Sequence, residues 1–102
     1  MKDNLEHARL FKALCDEQRL SILDLLRKSE KCACDLLEDL PISQSTLSHH
    51  MKILVESSLV YARKDKKWTY YGLQDEGLVK AQDALGQILH KDHESYSSCQ
   101  CD

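Results

Sequence analysis

The chain's single proline, Pro41, falls between two stretches of helical hydrophobic spacing and leaves room for only a tight turn between them. Proline disfavours helical geometry in the residue before it, so a helix over DLLEDL stops at Leu40. Ser43 can then cap a second helix, QSTLSHHMKILVESS, in which Leu47, Met51 and Leu54 make an apolar stripe. Short helix, turn, longer helix is the arrangement this segment dictates.

The flanking segments extend that pattern. Asp3, with Glu6 three residues on, forms a capping box for a first helix, and Asp16 caps DEQRLSILDLLRK, where Leu20, Leu23 and the pair Ile22/Leu26 keep helical spacing. Asp35 with Glu38 makes a further box at the head of DLLEDL. Beyond the second helix the period changes to two. LVYAR and WTYYGL flank the polar KDKK, which signals a β-hairpin whose turn lacks the usual glycine. From Asp75 a last helix is predicted to about Lys91, with Leu78, Ala81, Leu85, Ile88 and Leu89 on one face. The expected fold is mainly α with a small β-hairpin, a winged helix-turn-helix over residues 1–92, followed by a flexible cysteine-containing tail over 93–102. At 102 residues this is one domain. No apolar run opens the chain and none approaches the roughly 20 residues of a membrane span, so a cytoplasmic protein without membrane segments is expected.

The net charge of −3 argues weakly against nucleic acid, but the average hides a local pattern. Lys52, Arg63, Lys64, Lys66 and Lys67 face only Glu56 and Asp65 in their stretch of chain, and His49 and His50 precede them. A helix-turn-helix points the start of its second helix at base edges in the major groove. Here that start carries Ser43, Gln44, Ser45, Thr46, Ser48 and His49. Gln44 can read adenine, and the short hydroxyls and the imidazole suit bases or phosphates. The lysines of the hairpin tip would sit on the backbone beside it, where cations add affinity without sequence information.

Five cysteines (Cys15, Cys32, Cys34, Cys99 and Cys101) are expected to stay reduced in the cytoplasm. Cys15, inside FKALC, reads as a small buried apolar residue. The other four form two C-x-C pairs. SYSSCQCD is too polar to form a core, and exposed paired thiols in a reducing cell bind soft metals or do redox chemistry. With Asp35 as the helix cap, Cys34 stands at N′ and Cys32 just before it, beside the positive end of a helix dipole that lowers a thiol pKa.

FKALCDEQRLSIL, SQSTLSHHMKIL and EKCACDL together resemble the ArsR/SmtB family of metal-responsive winged-helix repressors over nearly the whole chain. EKCACDL is similar to the ELCVCDL box of that family's arsenite and cadmium sensors, a resemblance that implies thiol ligands at Cys32 and Cys34. It further implies a homodimer joined through the first and last helices, bound to a double-stranded DNA operator of two-fold symmetry until the effector releases it. The expected function is a repressor of a metal(loid)-resistance operon responding to As(III), with Cd(II) or Pb(II) as alternatives. A redox- or persulfide-sensing repressor using the same thiols is a further alternative. A thiol enzyme or metal carrier is disfavoured, because nothing resembles an active-site base or a substrate pocket.

Three departures from the family qualify this. Leu37 stands where some arsenite sensors carry a third cysteine, and no cysteine precedes Cys15. His90 and His93 match half of the family's last-helix Zn(II) site, but Gly77 and Val79 occupy the other half, so that site is not expected. Arsenite takes three thiolates. One or both of Cys99 and Cys101 are expected to complete the metal site, with Cys15 as the other candidate.

Overall fold

The computed structural model describes residues 2–92. In chain order it contains α1 (Lys2–Leu14), α2 (Glu17–Leu26), β1 (Lys31–Cys32), α3 (Ala33–Asp39), α4 (Gln44–Glu56), β2 (Val60–Asp65), β3 (Trp68–Leu73) and α5 (Asp75–Ile88). The helix-turn-helix is α3–α4, and β2–β3 form the wing.

Leu40 is extended, φ −120° and ψ 136°, as a residue before proline should be, and ends α3. Ser43 opens α4 by accepting the Thr46 N–H at 3.2 Å, and Asp16 opens α2 by accepting the Arg19 N–H at 3.0 Å. The apolar stripes meet in one core of Ile22 and Leu26 from α2, Leu36 and Leu40 around α3, Leu47, Met51 and Leu54 from α4, and Leu59 and Val60 leading into the wing. Each such side chain contributes about 1.5–3 kcal/mol on burial, so α4 is held to α2 and α3 by its own apolar face.

Four details differ from the sequence reading. The first helix starts at Lys2, so Asp3 lies within its first turn rather than at its cap. Leu20, at helical spacing with the core residues of α2, is instead 48% exposed. The cap of α3 is Cys32, not Asp35; the Asp35 carboxylate reaches back from the third helical position to the Cys32 N–H at 3.4 Å. Finally, Lys31 and Cys32 add a third strand to the wing, pairing antiparallel with Tyr71 and Tyr70 in a sheet ordered β1-β3-β2. A two-residue strand has no periodicity to read, which is why only its long-range pairing reveals it.

The last helix ends at Ile88, capped by Leu89. Its apolar face divides. Leu78 and Ala81 pack on the core, whereas Leu85, Ile88 and Leu89 are 47%, 45% and 72% exposed. No helix among the described residues is long and apolar enough to cross a membrane.

Candidate metal centre and nucleic-acid interface

The buried stripe of α4 fixes what its opposite face presents. With Leu47, His50, Met51 and Leu54 turned inward, Gln44, Ser45, Ser48 and His49 are left exposed in its N-terminal half and Lys52 one turn further on. The hydroxyls of Ser43, Ser45 and Thr46 cluster at the helix start, with Ser43 Oγ 3.2 Å from Ser45 Oγ and 3.0 Å from Thr46 Oγ1. They lie beside free backbone N–H groups, where an oxyanion is favoured. Eight of the expected DNA-facing residues thus lie on two elements, α4 and the wing tip, as exposed side chains: Gln44, Ser45, Ser48, His49, Lys52, Lys64, Lys66 and Lys67.

The wing turns through Lys66 and Lys67 between the paired Asp65 and Trp68. Lys66 has φ 61°, a left-handed conformation that glycine adopts at no steric cost. Lys67 Nζ sits 5.5 Å from the Trp68 ring centroid.

Arg63 is differently placed. Its guanidinium donates Nε and Nη2 to the Glu30 carboxylate at 2.9 and 2.6 Å, while its carbon Cζ lies 4.5 Å from the Tyr70 ring centroid. The Tyr61 hydroxyl donates to the same carboxylate at 2.5 Å. The Arg63 and Tyr61 hydrogen bonds pull the Glu30 carboxyl down to a pKa of about 2. Arg63 therefore ties the wing to the chain entering β1, and Glu30 is a functional neighbour that the sequence alone did not mark. The partners are thirty-three residues apart, so no local pattern could signal them.

At the head of α3 the donor atoms of Cys32, Cys34 and Asp35 lie within 4.8 Å of one another. Cys32 is buried, at 8% exposure, while Cys34 and Asp35 are exposed, so the cluster opens to solvent on one side. Two soft sulfurs and one carboxylate suit a thiophilic ion. The expected depression of the thiol pKa is not found for Cys34. Its hydrogen bond with Cys32 pushes it up, followed by burial and by the negative charges of Cys32 and Asp35. Metal ligation takes the thiolate form, so a soft ion must displace the thiol proton of Cys34.

Cys15 is exposed rather than buried in the apolar pattern of α1, because it falls past that helix's end. Cys99, Cys101 and His93 lie outside the described residues. His90 is exposed, with Nε2 3.9 Å from Asp92. At Gly77 an added Cβ would collide with the Ser58 carbonyl, so no donor-bearing side chain fits there without moving the backbone.

A family model described as "Bacterial regulatory protein, arsR family" matches residues 16–62, from the cap of α2 into the wing. Over 96 residues the chain is 46% identical to an arsenical resistance operon repressor of Staphylococcus xylosus, covering 94% of this chain and 88% of that one. A cadmium resistance transcriptional regulatory protein CadC homolog of Staphylococcus aureus is 37% identical over 71% of this chain and 60% of its own length. Among solved structures, an ArsR-like transcriptional regulator from Rhodococcus superposes with a TM-score of 0.75 at 30% identity, over 86% of this chain and 83% of the other. A helix-turn-helix beside a lysine-tipped wing, on a matching fold and sequence, has one coherent reading: the chain belongs to the arsR family of bacterial transcriptional regulators.

Proposed function

We propose that this regulator is a homodimeric repressor of an arsenical-resistance operon, released from a two-fold DNA operator when arsenite binds the thiolates of Cys32 and Cys34. The observation that carries the proposal is the place of those thiols. They head the helix whose Leu36 and Leu40 share a core with Leu47, Met51 and Leu54 of the reading helix. Bringing a buried Cys32 and an exposed Cys34 onto one ion disturbs the cap of α3, and a helix cap is worth about 1 kcal/mol. Strain at that point passes to α4 through shared packing. Gln44 and His49 are assigned to bases, Ser43, Ser45, Thr46 and Ser48 to bases or phosphates, and Lys52, Lys64, Lys66 and Lys67 to the DNA backbone. Arg63 joins that backbone set only when it leaves Glu30.

Arsenite needs a third thiolate. Cys99 or Cys101 is proposed to supply it, and Cys15 is the alternative, strengthened by its exposure. One observation favours a second reading: the Asp35 carboxylate within the cluster is a hard oxygen donor, which fits Cd(II) or Pb(II) better than As(III). The relatives' names include both arsenical and cadmium resistance.

The test uses a labelled duplex selected from a random pool by the protein itself, with anisotropy followed while arsenite, Cd(II), Pb(II) and Zn(II) are added in turn. Arsenite should release the duplex at the lowest concentration. Release by Cd(II) or Pb(II) first selects the second reading, and release by none rejects both. A chain truncated after Ser98 should bind arsenite more weakly and with fewer sulfurs; unchanged affinity with three sulfurs would move the third ligand to Cys15.

A further inference from the structure

A buried polar cluster joins three helices behind the reading face. Arg19 of α2 is 9% exposed and His50 of α4 is 6% exposed, in an interior otherwise apolar. Arg19 Nε donates to the Ala13 carbonyl at 2.7 Å and Nη2 to the Lys12 carbonyl at 3.3 Å. These are end carbonyls of α1, at its negative dipole end; that of Lys12 also accepts the Cys15 N–H at 3.1 Å. The remaining arm, Nη1, lies 3.0 Å from His50 Nδ1. On the other side of the ring, His50 Nε2 lies 2.8 Å from Gln18 Oε1.

Donor chemistry settles the direction of these bonds. A guanidinium has only donors, so His50 Nδ1 must accept. The ring proton is then on Nε2, which donates to the Gln18 carbonyl oxygen. A second proton, on Nδ1, would point at the Arg19 cation. Both sides of the imidazole are satisfied in one tautomer and one charge state.

We infer that Arg19 and His50 are positioning residues for DNA recognition, a contact that sets the reading helix against the end of α1 and holds only while His50 is neutral. His49, the next residue along the helix, faces outward for DNA, so a rotation of α4 at His50 moves the base-reading side chains with it. The charged and titratable groups around the ring are Arg19 and Asp16 from α2 and His49 from α4. Asp16 Oδ2 is 3.9 Å from Nε2 and favours the cation, but the same oxygen already accepts the Arg19 N–H. Burial outweighs it and keeps the His50 pKa below the ordinary histidine value, with Arg19 and His49 acting in the same direction. The inference rests on α4 as the DNA-reading helix and is independent of the effector.

The experiment has two parts. Nitrogen-15 spectra of the free wild-type protein should show His50 as the neutral Nε2–H tautomer at pH 7; the Nδ1–H tautomer or a cation would overturn the assignment. Duplex binding is then measured from pH 5.5 to 8 for the wild type, His50→Asn and His50→Leu. Asparagine places an oxygen where Nδ1 stands and cannot be protonated. It should keep affinity within about threefold of wild type at pH 7 and lose the acid decline that His50 contributes. Leucine should lower affinity for the selected duplex by about tenfold or more, with helical content and binding to random DNA retained. Wild-type affinity in the leucine variant, or an unchanged acid decline in the asparagine variant, would overturn the inference. A wild-type protein that binds no duplex would instead reject the assignment of α4 on which it stands.

Discussion

Lys66 and Gly77 show how single residues carry information that their type alone conceals. Lys66 holds a φ of 61° at the wing tip, a conformation costing an L-residue roughly 1–2 kcal/mol. Lys66→Gly is expected to raise stability by about 1 kcal/mol in thermal unfolding, because glycine removes the clash. The same change should weaken binding to random DNA and reduce its salt dependence by about one phosphate contact. Gly77 shows the reverse case. Its helix turn packs so tightly on the Ser58 carbonyl that Gly77→Ala should cost about 1–3 kcal/mol of stability, read by urea unfolding. The sequence marked Gly77 as a missing zinc donor, but the reason, a close approach of two backbones, required the fold. Cys15 likewise changed meaning: its apolar neighbours suggested burial, yet it follows the last residue of α1 and is exposed.

Among the elements, α3, its proline-ended turn and α4 were readable because cap, breaker and apolar stripe agree over one short stretch. β1 was not, and its discovery relocates the thiols. Cys32 is both the cap of α3 and the strand partner of Tyr70, the ring on which Arg63 rests. The thiol pair is thereby joined to the wing as well as to the reading helix. The Glu30 carboxyl, lowered from 4.5 to about 2, contributes to this junction above pH 4.5 and stops doing so as pH falls through about 2. Near neutral pH the junction is therefore always charged, and a pH change in that range does not open it. Glu30→Gln is expected to free Arg63 for a phosphate, tighten binding to random DNA and steepen the logarithmic salt slope by about 0.9. An unchanged slope would show that Arg63 stays on Tyr70 and out of reach.

At the scale of the molecule, the amphipathic pattern of α5 announced a helix but not what its face meets. Leu78 and Ala81 finish the chain's own core, and Leu85, Ile88 and Leu89 remain uncovered, together with Leu5 of α1 at 57% exposure. Hydrophobic periodicity is the same whether the buried surface lies within one chain or between two. Leu85→Glu with Ile88→Glu should yield a monomer by analytical ultracentrifugation, with binding to a two-fold duplex lowered far more than binding to random DNA. A dimer of wild-type affinity would place the contact elsewhere. The acidic whole and basic reading surface likewise separate only in the fold, since the net charge of −3 averages over both. Release of DNA gripped by α4 is proposed to be governed by the thiols at the head of α3. The most direct test is duplex anisotropy during an arsenite titration of wild type, Cys32→Ser and Cys34→Ser, because serine occupies nearly the same space without a soft ligand. All three proteins should bind the duplex with similar affinity, and only the wild type should let go as arsenite is added. Release of either serine variant at the wild-type arsenite concentration would show that the C-x-C pair is not the sensor.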